Sequence, residues 1–369
     1  MGINEIILYI MVIFMVLGAL DKIIGNKFGL GEQFEEGIMA MGALAIAMVG
    51  VVSLAPVLAN ILKPVIVPVY TALGADPSMF ATTLLANDMG GYPLAMEMAQ
   101  TTEAGKFAGL ILGSMMGPTI VFTIPVALGI IKKEDHPYLA KGILAGMITI
   151  PIGCFIGGLV AGFSVSMILR NLVPIIIFAA LIALGLWKIP GKMIKGFTIF
   201  GKGVTAVIAI GLAAIITETL TGFVVIPGMA PISDGIEIVG AIAIVLAGAY
   251  PLVYVITKVF KKPLMKVGGL LGMGEVAAAG MIATLANNIP MFGMMKDMDE
   301  RGKILNVAFA VSAAFVFGDH LGFTAGVDKE MITAMIAGKL IAGITAVGVA
   351  CLIAPKAAAS KKEKKQVEA

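Results

Sequence analysis

A segment of this chain occurs twice, and the two copies lie 200 residues apart. Leu85-Ala86-Asn87-Asp88 returns as Leu285-Ala286-Asn287-Asn288, and Glu97-Met98 returns as Asp297-Met298 at the same shift. Upstream, Gly37, Gly42, Ala43, Ala45, Ile46 and Gly50 pair with Gly235, Gly240, Ala241, Ala243, Ile244 and Gly248 at a shift of 198. Lys63-Pro64 pairs with Lys262-Pro263, Phe122-Thr123 with Phe323-Thr324, and Cys154 with Cys351. In a very apolar chain, a repeat of this length is the mark of a transporter built from two related halves.

Composition sets the class. Apolar residues make up 59 % of the chain and charged residues 13 %, with a mean hydropathy of +1.02. A soluble domain is about half apolar and about a quarter charged. Apolar runs of about twenty residues, enough to cross a bilayer, recur along the whole chain. The 46 glycines suit helices that pack backbone to backbone, and glycine-rich faces would permit a homodimer. A net charge of +3, with most basic residues in loops, points to membrane topology rather than to nucleic-acid binding. Cys154 and Cys351 both sit in apolar runs and read as small packing groups. The run near Ile6 lacks a basic start and a clear cleavage site, so it reads as a first span.

The expected architecture is an all-α polytopic membrane protein. Full spans are expected at 5–22, 37–60, 105–131, 139–163, 168–187, 200–220, 236–258, 303–327 and 331–353. Two regions, 64–100 and 263–298, do not fit. Each begins with a short apolar piece after Lys-Pro and continues into a stretch broken by polar residues, Gly and Pro (LLANDMGGYP and TLANNIPMFG). Lipid tolerates such backbone only where protein or a cavity surrounds it. Lysine-rich loops and the tail (Lys356, Lys361, Lys362, Lys364, Lys365) are expected on the cytoplasmic side. Each half then holds four spans and one re-entrant region, and the joining span 168–187 inverts the second half. The division is 1–165 for the first repeat, 166–195 for the connection, 196–355 for the second repeat and 356–369 for a cytoplasmic lysine-rich tail. Two inverted-topology repeats would bring their broken helices together near the midplane.

Asp88 is the sharpest candidate for chemistry. A carboxylate inside a span costs about 2.5–3.5 kcal/mol, so it needs a partner or a watery cavity. Its flanks, Asn87 and Met89-Gly90-Gly91-Tyr92-Pro93, have the composition of an unwound helix. An ammonium substrate would satisfy Asp88, and Tyr92 could add a hydroxyl or a ring face. The alternative is a structural acid capping a half-helix. Asn287 and Asn288 offer amides without charge, either to a hydroxyl of the substrate or to neighbouring helices. Asp319-His320 stands where the first half has Pro118-Thr119; it could couple or gate transport, or be a pair at a helix end. Glu275 opens the second broken segment, as a helix-capping acid or a gating group. Glu97, Glu103 and Asp297 have Lys106 and Lys303 nearby and read as surface ion pairs. The 25 methionines read as core filling. The sequence contains no phosphate loop, zinc spacing or nucleophile elbow, so no cofactor is expected and enzymatic chemistry is not.

GIMAMGALAIAMVG, LLANDMGGYPLAMEMA, SMMGPTIVFTIP, LANNIPMFGMMKDMDERGKILNVAF and FGDHLGF occur in that order. Together they resemble the bacterial ethanolamine permease family, EutH, over nearly the whole chain. The resemblance implies uptake of ethanolamine across the cytoplasmic membrane into a pathway that begins with a cobalamin-dependent lyase. It transfers no site residues. On the physical reading, Asp88 would take the ammonium, while Asn87, Asn287 and Asn288 would take the hydroxyl or complete the shell. One rival reading is an ion-coupled carrier of another small solute, including a carboxylate, although the broken segments carry acid and amide rather than base. The other is a membrane subunit of a larger enzyme or sensor, which would normally bring a sizeable loop or soluble domain.

Overall fold

The computed structural model describes residues 2–356. The described residues contain helices and connections but no strand, and eight helices are long and apolar enough to cross a membrane. They are α1 (Ile3–Ile23), α2 (Leu30–Ala72), α5 (Thr102–Ile130), α6 (Lys133–Val160), α7 (Val165–Lys188), α8 (Pro190–Thr221), α9 (Ile232–Leu270) and α14 (Lys329–Ile353). Shorter helices lie between them: α3 (Ser78–Leu84), α4 (Gly91–Met98), α10 (Glu275–Thr284), α11 (Ile289–Met294), α12 (Glu300–Ala313) and α13 (Asp319–Val327). The layering follows from enclosure. Of the most apolar stretch of α5, 83 % is buried inside the protein, against 11 % for α1. So α5 forms the interior, and α1 turns its apolar face outward to lipid.

The centre is a crossing of the two longest helices, α2 and α9. Glycine makes the crossing close: a Cβ on Gly37 would lie 2.5 Å from the Leu246 carbonyl oxygen. The outer helices dock in matching ways. Gly50 of α2 takes α8, its Cβ position 2.5 Å from the Ile208 oxygen, and Gly248 of α9 takes α1, 2.3 Å from the Met11 oxygen. These two glycines are repeat mates at the shift of 198. The same local sequence makes the same contact in both halves because only a missing side chain allows such an approach.

Two expectations about continuity are corrected. The apolar pieces after Lys63-Pro64 and Lys262-Pro263 are not separate; they extend α2 to 43 residues and α9 to 39. Pro56, Pro64, Pro68, Pro251 and Pro263 lie inside these helices. Each proline removes one amide donor, but unwinding in lipid would leave more groups unsatisfied. Conversely, the single span expected at 303–327 is two helices, α12 and α13. Phe315 between them adopts a positive φ of 63°. Its amide donates to the Thr284 oxygen (3.2 Å), and the Phe317 amide donates to the Leu285 oxygen (2.9 Å). The chain trades helix bonds for bonds to the second repeated segment. Of the expected tail 356–369, the residues after Lys356 lie outside the described residues. Both cysteines are free.

The breaks in the repeated segments are real. After α3, Leu85 and Ala86 are extended, Asn87–Met89 form one 3-10 turn, and Gly90 has a φ of 87°. After α10 the chain turns through residues 285–288 before α11. Each break is pressed by a glycine from a later segment. A Cβ on Gly117 would lie 1.9 Å from the Leu85 oxygen, and one on Gly318 would lie 2.2 Å from the Ala286 oxygen. Cross-half bonds add to this, with the Thr119 hydroxyl donating to the Val311 oxygen (3.0 Å) and the Thr149 hydroxyl to the Ala342 oxygen (3.1 Å).

At the entrance to α6, Lys303 bonds Asp135 at 2.6 Å, and Asp135 is fully buried. Breaking a buried pair strands the remaining charge and costs about 3 kcal/mol. Asp135→Asn should therefore lower the thermal unfolding midpoint in detergent. An unchanged midpoint would show that the pair adds nothing to stability.

Candidate functional site

Asp88 is carried on the 3-10 turn that interrupts the first repeated segment. The Gly91 amide donates to the Ala86 oxygen (2.8 Å), and positive φ at Gly90 lets the chain re-enter helix at once. The turn thus projects Asp88 into a cavity of about 310 Å³, within the usual range for small-molecule sites, about 300–1,000 Å³. One wall is α2, where Ala40, Ala43 and Ala47 share a face at helical spacing and leave the space open. Pro118 and Phe122 of α5, Tyr250 of α9, and Phe315, Asp319 and His320 complete it. Pro118 and Asp319 are repeat mates at the Phe122/Phe323 shift, so both halves contribute the same region of chain with different chemistry.

The polar groups form two hydrogen-bonded sets. The Tyr250 hydroxyl donates to the Asp319 carboxylate at 2.7 Å. His320 Nδ1 stands 2.9 Å from Lys339 Nζ, and Lys339 also donates to the Ser114 carbonyl oxygen. That carbonyl belongs to a 3-10 turn of α5, Leu112–Ser114, so unwinding there supplies the acceptor. Among the described residues, no side chain donates to the Asp88 carboxylate, which lines the cavity. Aromatic rings surround it: Phe315 packs on Phe122 at 5.6 Å and on His320 at 5.3 Å. Two carboxylates among aromatic faces form a surface that attracts an ammonium ion.

The structure brings Asp88, Asp319 and His320 into one cavity and leaves the other candidates outside its wall. Asn87 is fully buried beside it, with both amide atoms unpaired. Asn288 is fully buried and donates to the Thr123 hydroxyl (3.1 Å), its own oxygen unpaired. The Asn287 oxygen accepts the Ile289 amide (2.8 Å), a turn at the head of α11. Tyr92 sets its ring edge-on to Phe323, 5.6 Å between centroids. Glu275 is exposed at the first position of α10. Two residues escaped the sequence reading. Lys339 stood in plain view as a lone cation in the apolar run IAGKLIAGI, a signal of function in its own right. Tyr250 carried no such mark. No group of three or more His, Cys, Asp or Glu suited to a metal occurs among the described residues. A larger cavity of about 610 Å³ between α9, α10 and α14 has no charged side chain in its lining.

Eight helices long and apolar enough to span, interrupted helices at the core and a charged cavity beside the interruptions define a multi-pass membrane protein. The chain belongs to the EutH family: the family described as ethanolamine utilisation protein, EutH, matches residues 3–353. It is 73 % identical to a protein of Listeria monocytogenes named probable ethanolamine permease EutH, over 99 % of this chain and 98 % of that one. It is 56 % identical to the protein of the same name from Escherichia coli, covering 98 % and 99 %, and 56 % identical to YxeR of Bacillus subtilis, described as uncharacterized, covering 100 % and 99 %. No solved structure matches the chain.

Proposed function

We propose that the protein carries ethanolamine, as the protonated amino alcohol, across the bacterial cytoplasmic membrane. The observation that carries this reading is the cavity itself: Asp88 and Asp319 face a space bounded by Phe122, Phe315 and Tyr250. Asp88 receives the ammonium through charge-assisted hydrogen bonds. The aromatic faces supply cation–π attraction, and the Tyr250 hydroxyl stands beside Asp319 where a substrate hydroxyl can join the same network. Asn87 and Asn288, each with an unpaired buried amide oxygen beside a break, would complete the shell if the helices shift.

The carrier works by alternating access between two inverted halves, 1–165 and 196–355, joined through 166–195. Repeat mates that do the same job in each half support this: Gly50 with Gly248 at the outer helices, and Gly117 with Gly318 at the breaks. In this arrangement the broken segments enter from opposite faces and the lysine-rich loops lie in the cytoplasm. Asp319 and His320 then couple or gate the movement.

The test is uptake of radiolabelled ethanolamine into proteoliposomes, with and without an imposed proton or sodium gradient. Saturable uptake that unlabelled ethanolamine blocks and acetate does not is the expected result. Accumulation beyond equilibrium with a gradient assigns coupled transport; equilibration that ignores the gradients assigns a facilitator. Absence of saturable uptake by folded protein would overturn the reading.

A further inference from the structure

Lys339 is 1 % exposed and lies inside the spanning helix α14. Its two partners, the Ser114 carbonyl and His320 Nδ1, are neutral acceptors. A ring nitrogen that faces an ammonium accepts, so the His320 ring proton belongs on Nε2. These partners hold the ammonium in place without cancelling its charge. Among the described residues, no carboxylate makes an ion pair with it. The charge that answers it is across the cavity wall: Asp88, on the 3-10 turn, lines the same cavity as His320, the ring that Lys339 contacts.

We propose that Lys339 is a built-in counter-cation that limits the cavity to one net negative charge, so that the site takes one ammonium and rejects diamines. The inference rests on the reading of this cavity as an ammonium site and adds what sets its charge selectivity. The count is direct. Asp88 and Asp319 contribute two negative charges to the cavity, and Lys339, behind His320, contributes one positive charge. One monocation makes the assembly neutral. A dication leaves an uncompensated charge inside the membrane, where charge is expensive. Neighbouring elements do not alter the count. Glu36 of α2 lies within reach of Asp319 but is exposed and outside the wall, where water and salt screen its charge. Lys303 of α12 and the buried Asp135 neutralise each other at the entrance to α6, outside the cavity lining. Tyr250 and the buried Cys154 of α6 carry uncharged hydroxyl and thiol groups. The second amine of a diamine would also stand where the substrate hydroxyl does, beside the Tyr250 hydroxyl that already donates to Asp319.

The test compares 3-amino-1-propanol with 1,3-diaminopropane as competitors of labelled ethanolamine uptake in proteoliposomes. The two differ only in one end group. In the native protein the diamine should compete about 100-fold less well, the size of effect that an unpaired like charge imposes. In Lys339→Gln the preference should vanish or reverse, and in Lys339→Arg it should persist. Equal competition by both compounds in the native protein would overturn the proposal even if neither variant folds. So would a Lys339→Gln protein that keeps the native preference. A native protein that takes up no ethanolamine overturns the ammonium site itself and this inference with it, whereas uptake that both amines block equally overturns the role of Lys339 alone.

Discussion

Ethanolamine uptake falls about 10- to 100-fold in an Asp88→Asn protein that inserts and folds normally, because a hydrogen bond to a charged group is worth about 1.5–3 kcal/mol. Asparagine keeps the size and most of the hydrogen bonding of the side chain and removes its charge. The substitution is sharp because of what surrounds the residue. The Asp319 carboxylate already accepts from Tyr250, while that of Asp88 has no side-chain donor among the described residues. Asp88 is therefore the acid of the two that no side chain already engages. The measurement is initial uptake at subsaturating substrate, with surface expression and melting in detergent as controls. Uptake at the native rate by a well-folded Asp88→Asn protein would remove Asp88 from the site and with it the proposed binding mode.

The second large effect is on the break that holds Asp88. A methyl group on Gly117 would lie 1.9 Å from the Leu85 oxygen and 2.7 Å from the Ala86 nitrogen, both main-chain atoms that cannot rotate away. Gly117→Ala should cost about 3 kcal/mol, the upper part of the range for an overpacked core. It should also displace the extended pair Leu85-Ala86 that leads into the turn at Asp88. Gly129→Ala, on the same helix α5, is the control, since a Cβ there meets nothing within 4 Å. The expected outcome is a lowered melting midpoint and lost uptake for the first variant and neither for the second. Equal midpoints would show that the break does not depend on close contact with α5.

Both predictions concern a part of the fold that the sequence marked clearly. Gly90, Gly91 and Pro93 beside a carboxylate read as an interruption, and the chain is interrupted there. The prolines of α2 and α9 were misleading in the other direction. A proline costs one bond, and in lipid a helix that stops costs several, so α2 and α9 run through theirs. The break at Phe315 had little local warning. Its backbone conformation is selected by bonds to Thr284 and Leu285, some thirty residues earlier in the chain, which only packing brings within reach.

What the sequence determined by itself is the class, the approximate spans, the repeat and the two interrupted segments. The bilayer is the reason: it requires each spanning stretch to satisfy its own backbone, so apolar length and helix breakers carry the information locally. What only the tertiary structure decided is which polar groups meet. Asp88, Tyr250, Asp319, His320 and Lys339 come from four separate parts of the chain, and of the candidates on the repeated segments only Asp88 reached the cavity wall. Asn87, Asn288 and Tyr92 sit within a few residues of the right places and face helices instead. A helix turns each successive side chain by about a quarter of a circle or more, so one residue of offset separates a ligand contact from a packing contact. That choice belongs to the docking of α2, α5, α9, α13 and α14, which no local stretch of sequence encodes.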